Sequence, residues 1–239
     1  MTAGFRPEDY AALLEATAAR GYEVRTFADA DPGSRHLVLR HDIDVWPGYA
    51  LPIAEIEAAR GARASYFVLV TSPLYNPAAP GCRAMLRRIV GLGHAVELHF
   101  DAAAHPPGID RDAAAALECA WLESITGTPV TMISFHRPAP DLLGDPRPVA
   151  GRPHAYQPRF FSRMGYCSDS RGGWHRGQPL EHPALAAGTA LQLLTHPIWW
   201  RGDASPRAAL ARYRADRADA VARDLDANIV LPTTAGDAG

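Results

Sequence analysis

Lysine is absent from this chain of 239 residues, whose 24 basic side chains are all arginine. Schiff-base chemistry and the phosphate-gripping lysine of a P-loop are thereby excluded. Cysteine is scarce: Cys82, Cys119 and Cys167 form an odd set without CxxC spacing, which excludes a disulfide framework and a cysteine zinc knuckle and predicts free buried thiols. No apolar run approaches the roughly 20 residues of a membrane-spanning helix. The opening residues Met1 to Arg6 lack the basic start and apolar run of a secretory signal, so a cytoplasmic location is expected. A formal charge of −2 offers no basic excess for nucleic acid. What remains is globular: 47% apolar and 21% charged residues, in a length that suits a single domain over 1–239.

Along the chain, β-prone runs alternate with helical ones. Strands are expected at Tyr22 to Phe27, Leu37 to Arg40, Ala64 to Val70, Ala95 to Phe100, Val130 to Phe135 and Ala190 to Leu194. Helices are expected from Pro7 to Arg20, Tyr49 to Arg60, Arg83 to Leu92, Arg111 to Thr126 and Ser205 to Asn228, several of them closed by glycine. Phe161 to Tyr166 reads as a helix or turn, and the proline-rich stretch 138–160 as a long surface excursion able to cover a site. This alternation predicts an α/β fold with parallel strands, a distorted (β/α) barrel whose chemistry lies at the carboxyl ends of the strands.

Those ends are where the acids and imidazoles fall. His41-Asp42-Ile43-Asp44 follows the run Leu37-Val38-Leu39, and strand alternation sends Asp42 and Asp44 to one side and His41 and Ile43 to the other. Glu97-Leu98-His99-Phe100-Asp101 ends a second strand, His136-Arg137-Pro138 follows a third, and Thr195-His196-Pro197 a fourth. A carboxylate with imidazoles suits a catalytic zinc, and Asp44 and His99 are the first candidates. For the third ligand His105, Asp101 and Glu97 stand close enough in sequence. Asp42 is placed to accept a proton and His196 to give one from the opposite wall. Trp199-Trp200 offers either core filling or a stacking platform for a sugar.

Taken together, these segments resemble the polysaccharide deacetylases, carbohydrate esterase family four, in a divergent cytoplasmic branch associated with surface-polysaccharide metabolism. The resemblance covers about residues 36–200. Leu39-Arg40-His41-Asp42-Ile43-Asp44 is similar to the family's first motif, which implies Asp42 as base and Asp44 as metal ligand. Gly93 to His99 is similar to the approach to the second, with His99 as its first histidine. Four residues later, where the family has another histidine, this chain has Ala103: either His105 substitutes for it, or the metal has two protein ligands here, or none. Phe135-His136-Arg137-Pro138 resembles the motif whose arginine steadies the base and whose neighbours line the substrate groove. Ser168-Asp169-Ser170 is a weaker match to the fourth. Leu193-Leu194-Thr195-His196-Pro197 resembles the last, with His196 as general acid and Leu194 lining the acetyl pocket.

The resemblance implies a zinc-dependent hydrolase that removes an N- or O-linked acetyl group from a carbohydrate, with Asp42, His196 and Arg137 in catalysis, Asp44, His99 and His105 on the metal, and His136, Leu194, Trp199 and Trp200 at the substrate. Two alternatives go with it. One is a carbohydrate-binding or assembly protein that keeps the fold and lacks turnover, favoured by Ala103. The other is an allantoinase-like amide hydrolase, favoured by a small pocket without an aromatic platform.

Overall fold

The computed structural model of the protein describes residues 5–175 and 177–229. Seven strands make one sheet: β1 (Glu23–Arg25), β2 (His36–Ile43), β3 (Ser65–Val68), β4 (Ala95–Phe100), β5 (Ile133–Phe135), β6 (Gly165–Ser168) and β7 (Leu191–Thr195). The order is β5-β4-β3-β2-β7-β6, and every pairing is parallel. β1 and β3 share one edge of β2, the first pairing with His36 to Val38 and the second with Arg40 to Ile43. The sheet curls into a half-barrel.

Across its open side the chain closes the gap by other means. Residues 153–155 run beside β5, with Ile133 N donating to Pro153 O (3.0 Å) and Ala155 N donating to Ile133 O (2.9 Å). From β7, the Gln192 side-chain amide donates to the carbonyls of Ala155 (3.2 Å) and Phe160 (2.7 Å). The proline-rich stretch expected to lie on the surface therefore supplies part of the barrel wall: His154 and Ala155 are fully buried and Tyr156 nearly so. Its apolar spacing follows no helical or strand period because backbone and side-chain bonds to β5 and β7 hold it.

Seven α-helices accompany the strands: α1 (Pro7–Ala18), α2 (Leu51–Ala58), α3 (Pro80–Gly91), α4 (Arg111–Thr126), α5 (Pro158–Phe161), α6 (Pro183–Ala187) and α7 (Pro206–Asn228). All but α4 carry a proline in the first turn, where its missing N–H costs nothing. α4 uses a side-chain cap instead. Asp110 accepts from the amides of Asp112 and Ala113, a cap worth about 1 kcal/mol, and Gly127 ends the helix at φ 80°. Where a helix or turn was expected over Phe161 to Tyr166, the chain leaves α5 and enters β6, a strand too short to show alternation.

β2 is buried on both faces along its whole length. Leu37, Leu39 and Ile43 pack outward with Ile53, Leu86, Ile89 and Leu122 of the helices. Val38 faces inward to a smaller core with Phe67, Met132 and Phe160. Each such side chain contributes roughly 1.5–3 kcal/mol of burial. The inward set of β2 continues past the apolar core as Arg40 and Asp42, so the strand's own alternation carries charge up the barrel interior to the rim.

Residues 1–202 form one compact unit that holds every strand and every motif, and residues 203–239 form a second, described as far as α7. All three cysteines are buried and none forms a disulfide. Among the described residues no helix is long and apolar enough to cross a membrane.

Candidate functional site

Three side chains from three strand ends converge at the rim. Asp44 follows the last residue of β2, His99 lies on β4, and His136 follows β5, its amide donating to Phe100 O (2.8 Å). Asp44 Oδ1 lies 3.2 Å from His99 Nε2 and 3.4 Å from His136 Nδ1, and the two ring nitrogens are 3.3 Å apart. Ligands of a tetrahedral zinc, each about 2.0–2.1 Å from the metal, stand about 3.3 Å from one another. The triangle therefore has a size that suits a small metal ion such as zinc.

The state of the donors supports the same fit. Asp44 Oδ1 is buried without a hydrogen-bond partner, a costly condition for a carboxylate oxygen that a cation would relieve. Burial alone would raise the Asp44 carboxyl, and the nearby imidazoles of His136 and His99 bring it well below the usual carboxylate range. His99 Nδ1 is 2.6 Å from Ser134 Oγ. In the tautomer that donates from Nδ1 to that hydroxyl, Nε2 turns a lone pair toward Asp44, as a metal ligand must.

Asp42 stands beside this triangle, its Oδ2 3.6 Å from His99 Nε2. It is held by Arg40, whose Nε donates to Oδ1 (2.9 Å) and whose Nη2 donates to Oδ2 (2.8 Å), a bidentate pair made two residues apart on one strand face. Arg40 itself is fully buried. It also donates to Gln192 Oε1 (3.3 Å) and to the Tyr156 hydroxyl (3.0 Å), and its guanidinium lies 4.8 Å from the centre of the Tyr156 ring. Burial would raise the Asp42 carboxyl, but the Arg40 guanidinium overrides it and holds the group below its ordinary value.

At the end of β7, the strand paired with β2, His196 points Nε2 toward Asp44 Oδ2 (3.8 Å). Its other face is fixed by Asp169, fully buried after β6: Nδ1 to Oδ1 is 2.6 Å, and the His196 amide donates to the same carboxylate at 3.0 and 3.1 Å. The Trp200 indole donates to Asp169 Oδ2 (2.7 Å). Burial would lower the His196 imidazole, and the bond and charge of Asp169 push it up to about 9.

The structure thus gathers Asp42, Asp44, His99, His136 and His196 at one rim. His105 is elsewhere: it stacks on Phe100 and pairs with Glu118 of α4 (2.6 Å), so the third atom of the triangle beside Asp44 and His99 is that of His136, which was expected at the substrate. The other two alternatives are also committed. Glu97 accepts from the amides of Thr131 and Met132 and from the Thr131 hydroxyl, and Asp101 accepts from Arg137 (2.8 Å). Arg137 is 70% exposed at its side chain, so the guanidinium that steadies Asp42 is that of Arg40 instead. Trp200 is a buried support for Asp169 among Phe5, Tyr10 and Trp174, not an exposed platform, and Trp199 is partly buried against the core. Leu194 is buried and registers with Arg40.

Arg40 was legible in principle, because an arginine two residues before an acid on a buried strand shares its face. His136 needed the strand order. Asp169 sits in the weakest of the motif matches, and Tyr156 gave no signal.

No protein-family model matches the chain, and no curated protein matches it. Solved structures similar to it include the CE4 family pseudoenzyme of Bacillus anthracis, with 13% identity and a TM-score of 0.44 over 78% of this chain and 63% of that one. The peptidoglycan deacetylase PdaC of Bacillus subtilis has 17% identity and a TM-score of 0.45 over 84% of this chain and 100% of that one. A family 4 carbohydrate esterase of Streptomyces lividans, solved with acetate, has 14% identity and a TM-score of 0.40 over 78% of this chain and 89% of that one. The chain spans less than two thirds of the length of the Bacillus anthracis protein.

Proposed function

We propose that this protein removes an acetyl group from a carbohydrate by metal-dependent hydrolysis, with zinc held by Asp44, His99 and His136. The observation that carries the reading is the triangle of ligand atoms at 3.2–3.4 Å, set between a guanidinium-held carboxylate and a carboxylate-held imidazole. Asp44, His99 and His136 would hold the zinc, which would supply Lewis-acid polarisation of a carbonyl and a water of near-neutral pKa.

The protein's own groups divide the proton work. Asp42, kept ionised by Arg40, accepts a proton at Oδ2, the oxygen that faces His99. His196, kept protonated by Asp169, delivers one from Nε2 to the leaving amine or alkoxide. Two groups with opposite charge states at the ends of the neighbouring strands β2 and β7 are the pattern expected of a base and an acid at neutral pH. Leu194, the register partner of Arg40 across β2 and β7, would wall off the acetyl methyl. The binding-only alternative rested on Ala103; His136, which stands beside Asp44 and His99 from another strand, supports the metal-dependent reading instead.

The test is metal content after dialysis against trace zinc, together with acetate release from acetylated saccharides. Wild type and His105→Ala are expected to retain about one zinc per chain. Asp44→Ala, His99→Ala and His136→Ala are expected to lose it together with acetate release. A wild type without zinc, or zinc retained in all three variants, overturns the reading.

A further inference from the structure

Beside the rim lies a groove of about 400 Å³ that none of the groups above fills. Its walls come from Pro138 after β5, from Tyr156 and Phe161, and from Tyr166, Arg171 and His175 on β6 and the turn beyond it. It adjoins the candidate site through shared chain. Pro138 lies two residues after His136, the Tyr156 hydroxyl accepts from Arg40, and Arg171 lies two residues after Asp169. Three aromatic rings and a proline make a surface on which the C–H face of a sugar packs.

The charge of this groove has one sign. Among the described residues Arg171 and His175 are the ionisable side chains that line it besides the two tyrosines, and no carboxylate does. Arg171 is exposed and makes no hydrogen bond or ion pair with any described residue. Its backbone is left-handed (φ 63°, ψ 20°), a conformation that costs a residue with a Cβ. The turn that imposes it is held by the amides of Gly172 and Gly173 donating to Asp169 O (2.9 and 3.2 Å). The residue that orients His196 thus also sets an uncommitted guanidinium at the groove. Arg40 offers no competing charge, because its donors are taken by Asp42, Gln192 and Tyr156.

We propose that this groove receives an anionic group of the acetylated sugar, read by Arg171 with His175, so that the substrate is an acidic carbohydrate. The inference rests on the deacetylase reading of the neighbouring site. A sugar carboxylate and a sugar phosphate share the needed chemistry, an oxyanion that takes paired N–H bonds from a guanidinium.

The test measures equilibrium binding and then acetate release for N-acetylglucosamine, its 1-phosphate, and a disaccharide joining it to glucuronate. The proteins are wild type, Arg171→Gln, Arg171→Lys and His175→Gln. Wild type is expected to bind at least one acidic sugar about tenfold tighter than the neutral one. Arg171→Gln should erase that preference through KM with kcat unchanged, His175→Gln should weaken it, and Arg171→Lys should restore part of it. The phosphate and uronate arms tell which anion is read. Equal binding of neutral and acidic sugars, no binding of either acidic sugar, or a preference that survives Arg171→Gln overturns the inference. Charge-selective binding without acetate release would sink deacetylation and leave the groove assignment standing. Acetate release blind to charge and to Arg171 would do the reverse.

Discussion

Neighbouring residues of β2 carry two buried ion pairs on opposite faces, and only one of them faces a place where chemistry can occur. Outward, His41 Nε2 meets Glu57 Oε1 at 2.7 Å, beneath α1 and α2. Glu57 also accepts from Tyr10 (2.5 Å) and Tyr66 (2.6 Å), and His41 Nδ1 is 2.7 Å from Thr195 Oγ1. His41, Glu57, Tyr10, Tyr66 and Thr195 are all fully buried. Inward, Asp42 has one strong partner, Arg40, and its Oδ2 still looks across 3.6 Å to His99 at the rim. Burial would raise both carboxyls, and the Arg40 guanidinium lowers Asp42 while the neighbouring His41, Tyr10 and Tyr66 lower Glu57. The difference is access. The outer carboxylate is wholly consumed by partners beneath helices, whereas the inner one keeps an oxygen directed at His99 of the candidate triangle.

The largest expected separation is between Asp42→Asn and Glu57→Gln. Asp42→Asn should lower acetate release of the folded protein by about a thousandfold. It should also cost about 3 kcal/mol of stability, because Arg40 is left buried without its counter-charge. Glu57→Gln should cost a similar amount, about 3–5 kcal/mol by denaturant unfolding, from the stranded His41 and tyrosine hydroxyls. Its folded fraction should keep its acetate release. Turnover lost in Glu57→Gln at full folding, or kept in Asp42→Asn, would erase the distinction between the two faces.

A smaller effect comes from the third buried pair, Asp169 with His196. The folded imidazole is raised to about 9 against an ordinary value near 6.5. The folded state therefore holds its proton more tightly than the unfolded chain does. The resulting stability is fully present below pH ~6.5 and is lost as pH rises through about 9, amounting to about 1–3 kcal/mol. Chelator-treated wild type should lose that stability over this window, and His196→Gln should lack the pH dependence. A flat profile in wild type would show that Asp169 does not hold His196 charged.

Much of this arrangement could be read locally. The limits of α4 match those expected, because Asp110 and Gly127 mark them with capping chemistry. The inward and outward sets of β2 follow from period-two alternation over an apolar strand. β6 and the segment around Tyr156 were not legible, since four residues show no period and bonds from β5 and Gln192 hold the rest. Trp200 shows the limit of composition: two adjacent tryptophans look alike in sequence, yet one is spent on Asp169.

Residue order alone decided that acids and imidazoles would stand at strand ends, and that Arg40 and Asp42 would share a face, because alternation and termination are local properties of the chain. The choice of partners was decided by tertiary structure. His136 lies 37 residues from His99 and meets it because β5 lies beside β4 in the sheet, while His105, six residues away, is carried off to Glu118 of α4. Strand order and register set those distances, and separation along the chain does not encode them.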